Sequence, residues 1–153
     1  MAGFSMSFTE KIYPTLLVVI QLGSLVFLLV SGPIIADSIA GFLLEMMGVF
    51  LGLLAIYVMG LGNFNIRPII KENGVLITSG PYRIIRHPMY LAQVIAIVPL
   101  VFESFSYWRL AVLLLLIIVL TVKIEYEEKR LIKHFKGYSD YIKISKKVIP
   151  YIY

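Results

Sequence analysis

Two apolar runs near the start of the chain set the strongest limit on what it can become: YPTLLVVIQLGSLVFLLVS (Tyr13–Ser31) and Ile39–Leu61. Each is long enough to cross a hydrocarbon core, which takes about 20 residues of helix. A chain of 153 residues cannot hide that much apolar surface in its own interior. Hydrophobic residues make up 59% of it and charged residues 15%, whereas a soluble domain has about 45–50% and about 25%. Lipid must therefore be the solvent for much of the chain.

The later segments extend this pattern. MYLAQVIAIVPLVF (Met89–Phe102) is apolar but short, and Pro99 is expected to interrupt it. ESFSYWR makes a tight connection, with Tyr107 and Trp108 as interfacial aromatics. LAVLLLLIIVLTV then runs into KIEYEEKRLIKHF with no helix breaker between them, which predicts one helix that leaves the membrane and continues into the cytosol. The expected fold is an all-α integral-membrane helical bundle, a single domain over residues 1–153. It has about four transmembrane helices (13–31, 39–61, 89–102 and 107–122) and a cytoplasmic C-terminal helical extension. The first run lacks a small-residue cleavage site and reads as an anchor rather than a removed signal peptide.

Charge supplies the orientation. Of the 14 Lys and Arg, four lie between Arg67 and Arg86 and eight between Lys123 and Lys147; Lys11 and Arg109 are the others. Basic residues collect on the cytoplasmic side of membranes. Four spans with both termini cytoplasmic therefore bring loop 62–87 and tail 123–153 to one face. These charges flank spans and form no soluble basic domain, so nucleic acid is not an expected partner despite the net charge of +5. The absence of cysteine excludes disulfides and thiolate chemistry, and His87 and His134 share no metal-ligand spacing, so no metal is expected.

Within the spans, Gly48 and Gly52 have the GxxxG spacing that lets helix backbones approach closely, read here as packing within the chain. Glu45 marks either a site or a carboxylate partnered inside the bundle or near the interface. The polar stretch SGPYRIIRHPMYLA (Ser79–Ala92) also has two readings. Arg86 and His87 could anchor the interface ahead of Pro88, a favoured first helical residue. Anchoring explains His87, Tyr82 and Tyr90 less well. Lys123–Glu127 and Glu125–Lys129 are ordinary i,i+4 pairs on a solvated face, or Lys123 and Glu127 belong to a polar cavity opening to lipid.

LITSGPYRIIRHPMYLA, followed by EEKRL, then F, then Y..Y, and finally IP, resembles the isoprenylcysteine carboxyl methyltransferase family and the phospholipid methyltransferases, over about Leu61 to Ile152. The resemblance implies a pocket for S-adenosylmethionine as methyl donor, built from segments 62–90 and 123–153 at the cytoplasmic membrane surface. It implies cofactor contacts from Gly74, Val75, Leu76, Ile77, Tyr82, Arg86, His87, Pro88, Met89, Tyr90 and Glu127. Lys123 falls where the family has a basic acceptor-binding residue, usually arginine, and Arg67 lies near a further cofactor contact. Ala92 stands where glycine is common, and Lys147 near an expected arginine.

The side-chain chemistry agrees with such a ligand. A zwitterionic amino acid needs a donor such as His87 or Arg86 for its carboxylate, and an acceptor such as Glu127 for its ammonium or hydroxyls. Tyr82 and Tyr90 offer faces to a sulfonium or adenine, while Gly74 and Gly80 would allow close backbone approach. The expected reaction is methyl transfer to a lipid-borne acceptor, an isoprenylcysteine-type carboxylate before a phospholipid amine. The partners are then membrane lipids and a lipid or prenylated small-molecule or protein acceptor. An NADPH-dependent sterol reductase-like enzyme and a non-catalytic membrane scaffold are the competing readings.

Overall fold

The computed structural model describes residues 8–60, 63, 74–150 and 152. Their helices are α1 (Phe8–Val30), α2 (Ile39–Met59), α3 (Pro88–Glu103), α4 (Tyr107–His134) and α5 (Tyr138–Ile144), with a 3-10 turn at Gly80–Arg83. The expected all-helical membrane bundle is what forms. Helices α1, α2 and α4 are long and apolar enough to span a bilayer. Helix α3 has 16 residues, about 24 Å at 1.5 Å per residue, and falls short of a roughly 30 Å core. Three helices thus have the length of the four expected spans.

One expectation from the sequence changes at a proline, and a second proline is accommodated without shifting the expected first span. Pro99 does not interrupt α3, which continues to Glu103. Its missing N–H costs one helical hydrogen bond, and the ring itself is buried in the bundle. Pro14 likewise lies inside α1, which begins at Phe8 rather than Tyr13. Helix α4 runs unbroken from the membrane segment through Lys123 to His134, as the lack of a breaker predicts.

The helices pair as α1 with α4 and α2 with α3, each antiparallel. Along the first pair Tyr13 meets Tyr126 with ring centroids 5.4 Å apart, Gln21 meets Lys123, and Leu28 meets Arg109. Along the second, a Cβ on Gly48 would lie 2.5 Å from the Ala96 backbone nitrogen and 2.8 Å from the Ala92 carbonyl. Only glycine permits that crossing. Ala92 is buried and would sit 3.5 Å from a Cβ on Gly52, so the GxxxG spacing serves packing inside the chain. Leu28, Ile97, Leu100, Val101, Leu113 and Leu116 close the core between the pairs. Leucine and phenylalanine side chains such as Leu43, Phe50 and Leu53 point outward, as expected where lipid is the solvent.

One end of the bundle is fastened by polar groups. Glu45 is buried and accepts from the Ala36 amide at 2.9 Å, so it is a partnered carboxylate holding the α1–α2 loop. Glu103 accepts from the Asp37 and Ser38 amides of the same loop at 2.5 and 3.0 Å. Arg109, 3% exposed, donates to the Leu28 and Leu100 carbonyls, both at 2.9 Å, and to the Ser31 hydroxyl at 2.7 Å. A cation on the C-terminal carbonyls of α1 and α3 gives the Leu28 carbonyl a donor, joins the Ser104 amide on the Leu100 carbonyl, and complements both dipoles.

Candidate active site

The opposite end carries a cavity of about 340 Å³. Its walls come from α1, the 74–77 segment, the turn at Gly80–Arg83, the start of α3, and α4 with its continuation into α5. The turn is set by Gly80 at φ 57°, where a Cβ would also meet Val58 of α2 at 2.9 Å. That conformation and that crowding both call for glycine. Tyr82 then enters the interior at 3% exposure, its carbonyl accepting the Tyr141 hydroxyl. The 74–77 segment is held by Asn63, which donates to the Val75 carbonyl at 2.5 Å and accepts from its amide at 2.9 Å.

Segment 84–87 is held by the tail. The Arg86 and His87 amides donate to the Lys146 and Lys147 carbonyls at 2.8 and 3.0 Å, and the Lys146 amide donates to Ile84 at 2.9 Å. The two basic segments, far apart in sequence, thus meet at one end of the bundle. The Arg86 guanidinium donates to Glu128 Oε1 and to the Ser145 carbonyl, each at 2.6 Å. Arg86 borders the cavity, but its charge is spent joining α4 to the tail rather than facing lipid. Lys147 pairs with Glu125 and approaches Glu128 at 3.9 Å.

The other residues expected to meet cofactor or acceptor also line this cavity: Gly74, Val75, Leu76, Ile77, Tyr82, His87, Pro88, Met89, Tyr90, Lys123 and Glu127. Arg67 lies outside the described residues. His87 is stacked on Tyr90, with centroids 5.7 Å apart and planes 6° from parallel. Its Nδ1 lies 3.5 Å from Glu127 and its Nε2 3.3 Å from Glu128. Burial pushes the imidazole pKa down, but hydrogen bonds and charge from both carboxylates outweigh it and hold the pKa above its ordinary value. Glu127 accepts the Tyr90 hydroxyl. Burial pushes the Tyr141 phenol up to about 12 and raises those of Tyr82 and Tyr138, leaving three neutral hydroxyls.

Sequence reasoning missed part of the lining. Gln21, Leu22 and Leu25 of α1, Gln93 of α3, and Phe135, Tyr138 and Tyr141 also border the cavity. Lys123, 1% exposed, donates to Gln21 Oε1 at 2.5 Å, and its ammonium lies 5.1 Å from the centre of the Tyr90 ring. Gln21 in turn donates to Gln93 at 2.6 Å. The only hint in the sequence is that Gln21 and Gln93 each interrupt an apolar run, where an amide must find a partner. Leu22 is 47% exposed and also lines the cavity, so the cavity reaches the lipid-facing surface of α1.

A carboxylate, an ammonium, aromatic faces and a lateral apolar wall converge where a polar membrane border meets a lipid-facing helix. The chain belongs to the phospholipid methyltransferase family, whose model matches residues 36–137, about two thirds of the sequence. The match takes in α2, which carries no signature legible beyond hydrophobicity, and leaves out α1 and the whole of α5. A search of curated proteins finds no match. The protein is a membrane methyltransferase by family and by architecture.

Proposed function

We propose that the chain transfers the methyl group of S-adenosylmethionine to a lipid-borne acceptor. The observation that carries this reading is one cavity, lined by both polar sequence blocks, that runs to Leu22 on the lipid-facing surface of α1. Arg83, Arg86 and the basic residues from Lys123 to Lys147 gather at the cavity end, so we assign that end to the cytoplasmic side.

The lining suits the donor. Glu127 is an acceptor for an ammonium or ribose hydroxyls, and Tyr82, Tyr90 and Phe135 supply aromatic faces. Tyr138 is fully buried against the cavity, and its hydroxyl has no hydrogen-bond partner among the described residues. A buried hydroxyl left unpaired costs about 1–3 kcal/mol, which a polar ligand in the cavity would recover. When bound, S-adenosylmethionine supplies a methyl group on a positively charged sulfur. The protein's own part is alignment and exclusion of water: Leu22 and Leu25 admit an apolar tail, and Lys123 holds the acceptor's anion beside Tyr90.

A carboxylate acceptor needs no base and fits the Lys123 ammonium, which supports an isoprenylcysteine-type substrate. A phospholipid amine is the second reading, favoured by the family match. It has a phosphate for Lys123 but must lose a proton, for which the Glu127 carboxylate is the acceptor at the cavity wall.

Thermal unfolding of the purified protein in detergent tests the cofactor. S-adenosylmethionine or S-adenosylhomocysteine at ~100 times its Kd should add about 2.7 kcal/mol of stability, NADPH none, and Glu127→Gln should weaken the response. Stabilisation by NADPH alone would discard the methyltransferase reading, and stabilisation by none of the three would favour a scaffold. Tyr138→Phe is expected to leave the ligand-free protein at least as stable while weakening S-adenosylhomocysteine binding about threefold to tenfold, one neutral hydrogen bond. Equal affinity in a calorimetric titration would remove Tyr138 from the site.

A further inference from the structure

The cavity holds a polar chain that none of the above assigns. Lys123 of α4 donates to Gln21 of α1, Gln21 donates to Gln93 of α3, and Gln93 donates to the Met89 carbonyl at 3.3 Å. The direction is consistent throughout: each amide oxygen accepts and each amide nitrogen donates. Gln21 is 6% exposed and lies on the buried stripe of α1 that also holds Leu17, Ser24 and Leu28. An amide at that depth in a span is costly unless partnered. Its oxygen is given to the buried Lys123 ammonium in the cavity wall.

Lysine needs such a partner more than arginine would. Its ammonium is a point charge on a flexible four-carbon stem, whereas guanidinium is a preorganised fork. A neutral amide oxygen fixes where the ammonium stands without cancelling its charge. A carboxylate in the same place would fix it equally well and neutralise it. The Lys123 ammonium also feels the Glu127 carboxylate one turn on. We infer that Gln21, braced by Gln93, is a positioning residue that holds this ammonium for an oxyanion of the acceptor's head group. That oxyanion is a carboxylate or a phosphate. The inference rests on the acceptor role proposed for Lys123.

The test follows labelling of Lys123 rather than turnover. The full chain in detergent is treated with formaldehyde and cyanoborohydride, and modification of Lys123 is timed by mass spectrometry. One arm adds an N-acetyl S-farnesyl cysteine and the other phosphatidylethanolamine in mixed micelles. Labelling of Lys123 is taken relative to the exposed Lys143, which corrects for formaldehyde consumed by the lipid amine. In the wild type one of the two should slow labelling of Lys123, and which one does so identifies the oxyanion. Gln21→Glu should abolish that protection, a loss of roughly tenfold or more in acceptor affinity for a hydrogen bond to a charged group. Stabilisation by S-adenosylhomocysteine should survive. Gln21→Met, similar in length and without polar atoms, should weaken protection and change the basal labelling rate severalfold.

A purely structural Gln21 would leave protection intact in Gln21→Glu, because the introduced carboxylate still accepts from Lys123. That result overturns the inference, as does failure of both acceptors to protect the wild type. If S-adenosylhomocysteine stabilises no form of the protein, the methyltransferase reading fails separately, and the labelling pattern still judges Gln21.

Discussion

Arg86→Ala is expected to cost about 3–5 kcal/mol, the usual penalty for removing one partner of a buried ion pair, and to abolish cofactor binding with it. The Arg86 and Glu128 side chains are 7% and 9% exposed. Removing the guanidinium leaves the Glu128 charge to His87 and a distant Lys147, and releases the Ser145 carbonyl. The tail that backs segment 84–87 then loses its only side-chain tie from that segment among the described residues. Arg86→Lys should recover part of the loss, since one ammonium can serve Glu128 or the Ser145 carbonyl but lacks the fork for both. Melting temperature in detergent, with and without S-adenosylhomocysteine, checks both changes. A simple interfacial anchor would tolerate lysine fully, and that outcome would contradict the role assigned to Arg86.

The second large effect lies at the α2–α3 crossing. A Cβ on Gly48 would press on the backbone of Ala92 and Ala96, which cannot rotate away, so the helices themselves must separate. Gly48→Ala should cost about 1–3 kcal/mol, and Gly48→Leu should prevent assembly. Gly52→Ala meets only the Ala92 methyl at an ordinary 3.5 Å and should be neutral or slightly stabilising, because alanine is the better helix former. Denaturation in mixed micelles separates the two. Equal costs at both positions would mean that the pair acts through helix propensity instead of contact.

Residues of this chain differ in how much their identity and neighbours disclose. Helix α4 is readable because nothing between Leu110 and Lys133 can break it, and the convergence of the two basic segments follows from where the Lys and Arg lie. The cavity lining from Gly74 to Tyr90 is readable only through the family resemblance, because the residues by themselves suit an interfacial anchor as well as a site. Gln21 and Gln93 are not readable, since an amide in an apolar run names no partner. Their link to Lys123 depends on how α1, α3 and α4 are rotated about their own axes. Arg86 is ambiguous for the same reason: its partner Ser145 is brought to it only by the turn into α5 and the return of the tail. The i,i+4 pairing on α4 is the reasonable local expectation; Glu127 does act on the Lys123 charge, while Gln21 also accepts from Lys123, and Glu125 pairs with Lys147 across the fold.

Arg109 gives the bundle a mechanical polarity. It rivets the end of α1 to the start of α4 and the end of α3, while the rest of α1 is held by the Gln21 bonds at mid-helix, the buried Pro14 and Leu17, and the Tyr13–Tyr126 contact. A helix riveted at one extremity is a lever. Were the entrance beside Leu22 to widen by a tilt of α1, Arg109 would be the pivot and the displacement would grow toward the Tyr13 end. A long-tailed molecule in the bilayer pressing sideways there would be felt in α3 through the Gln21–Gln93 bond and opposed by the close α2–α3 crossing at Gly48.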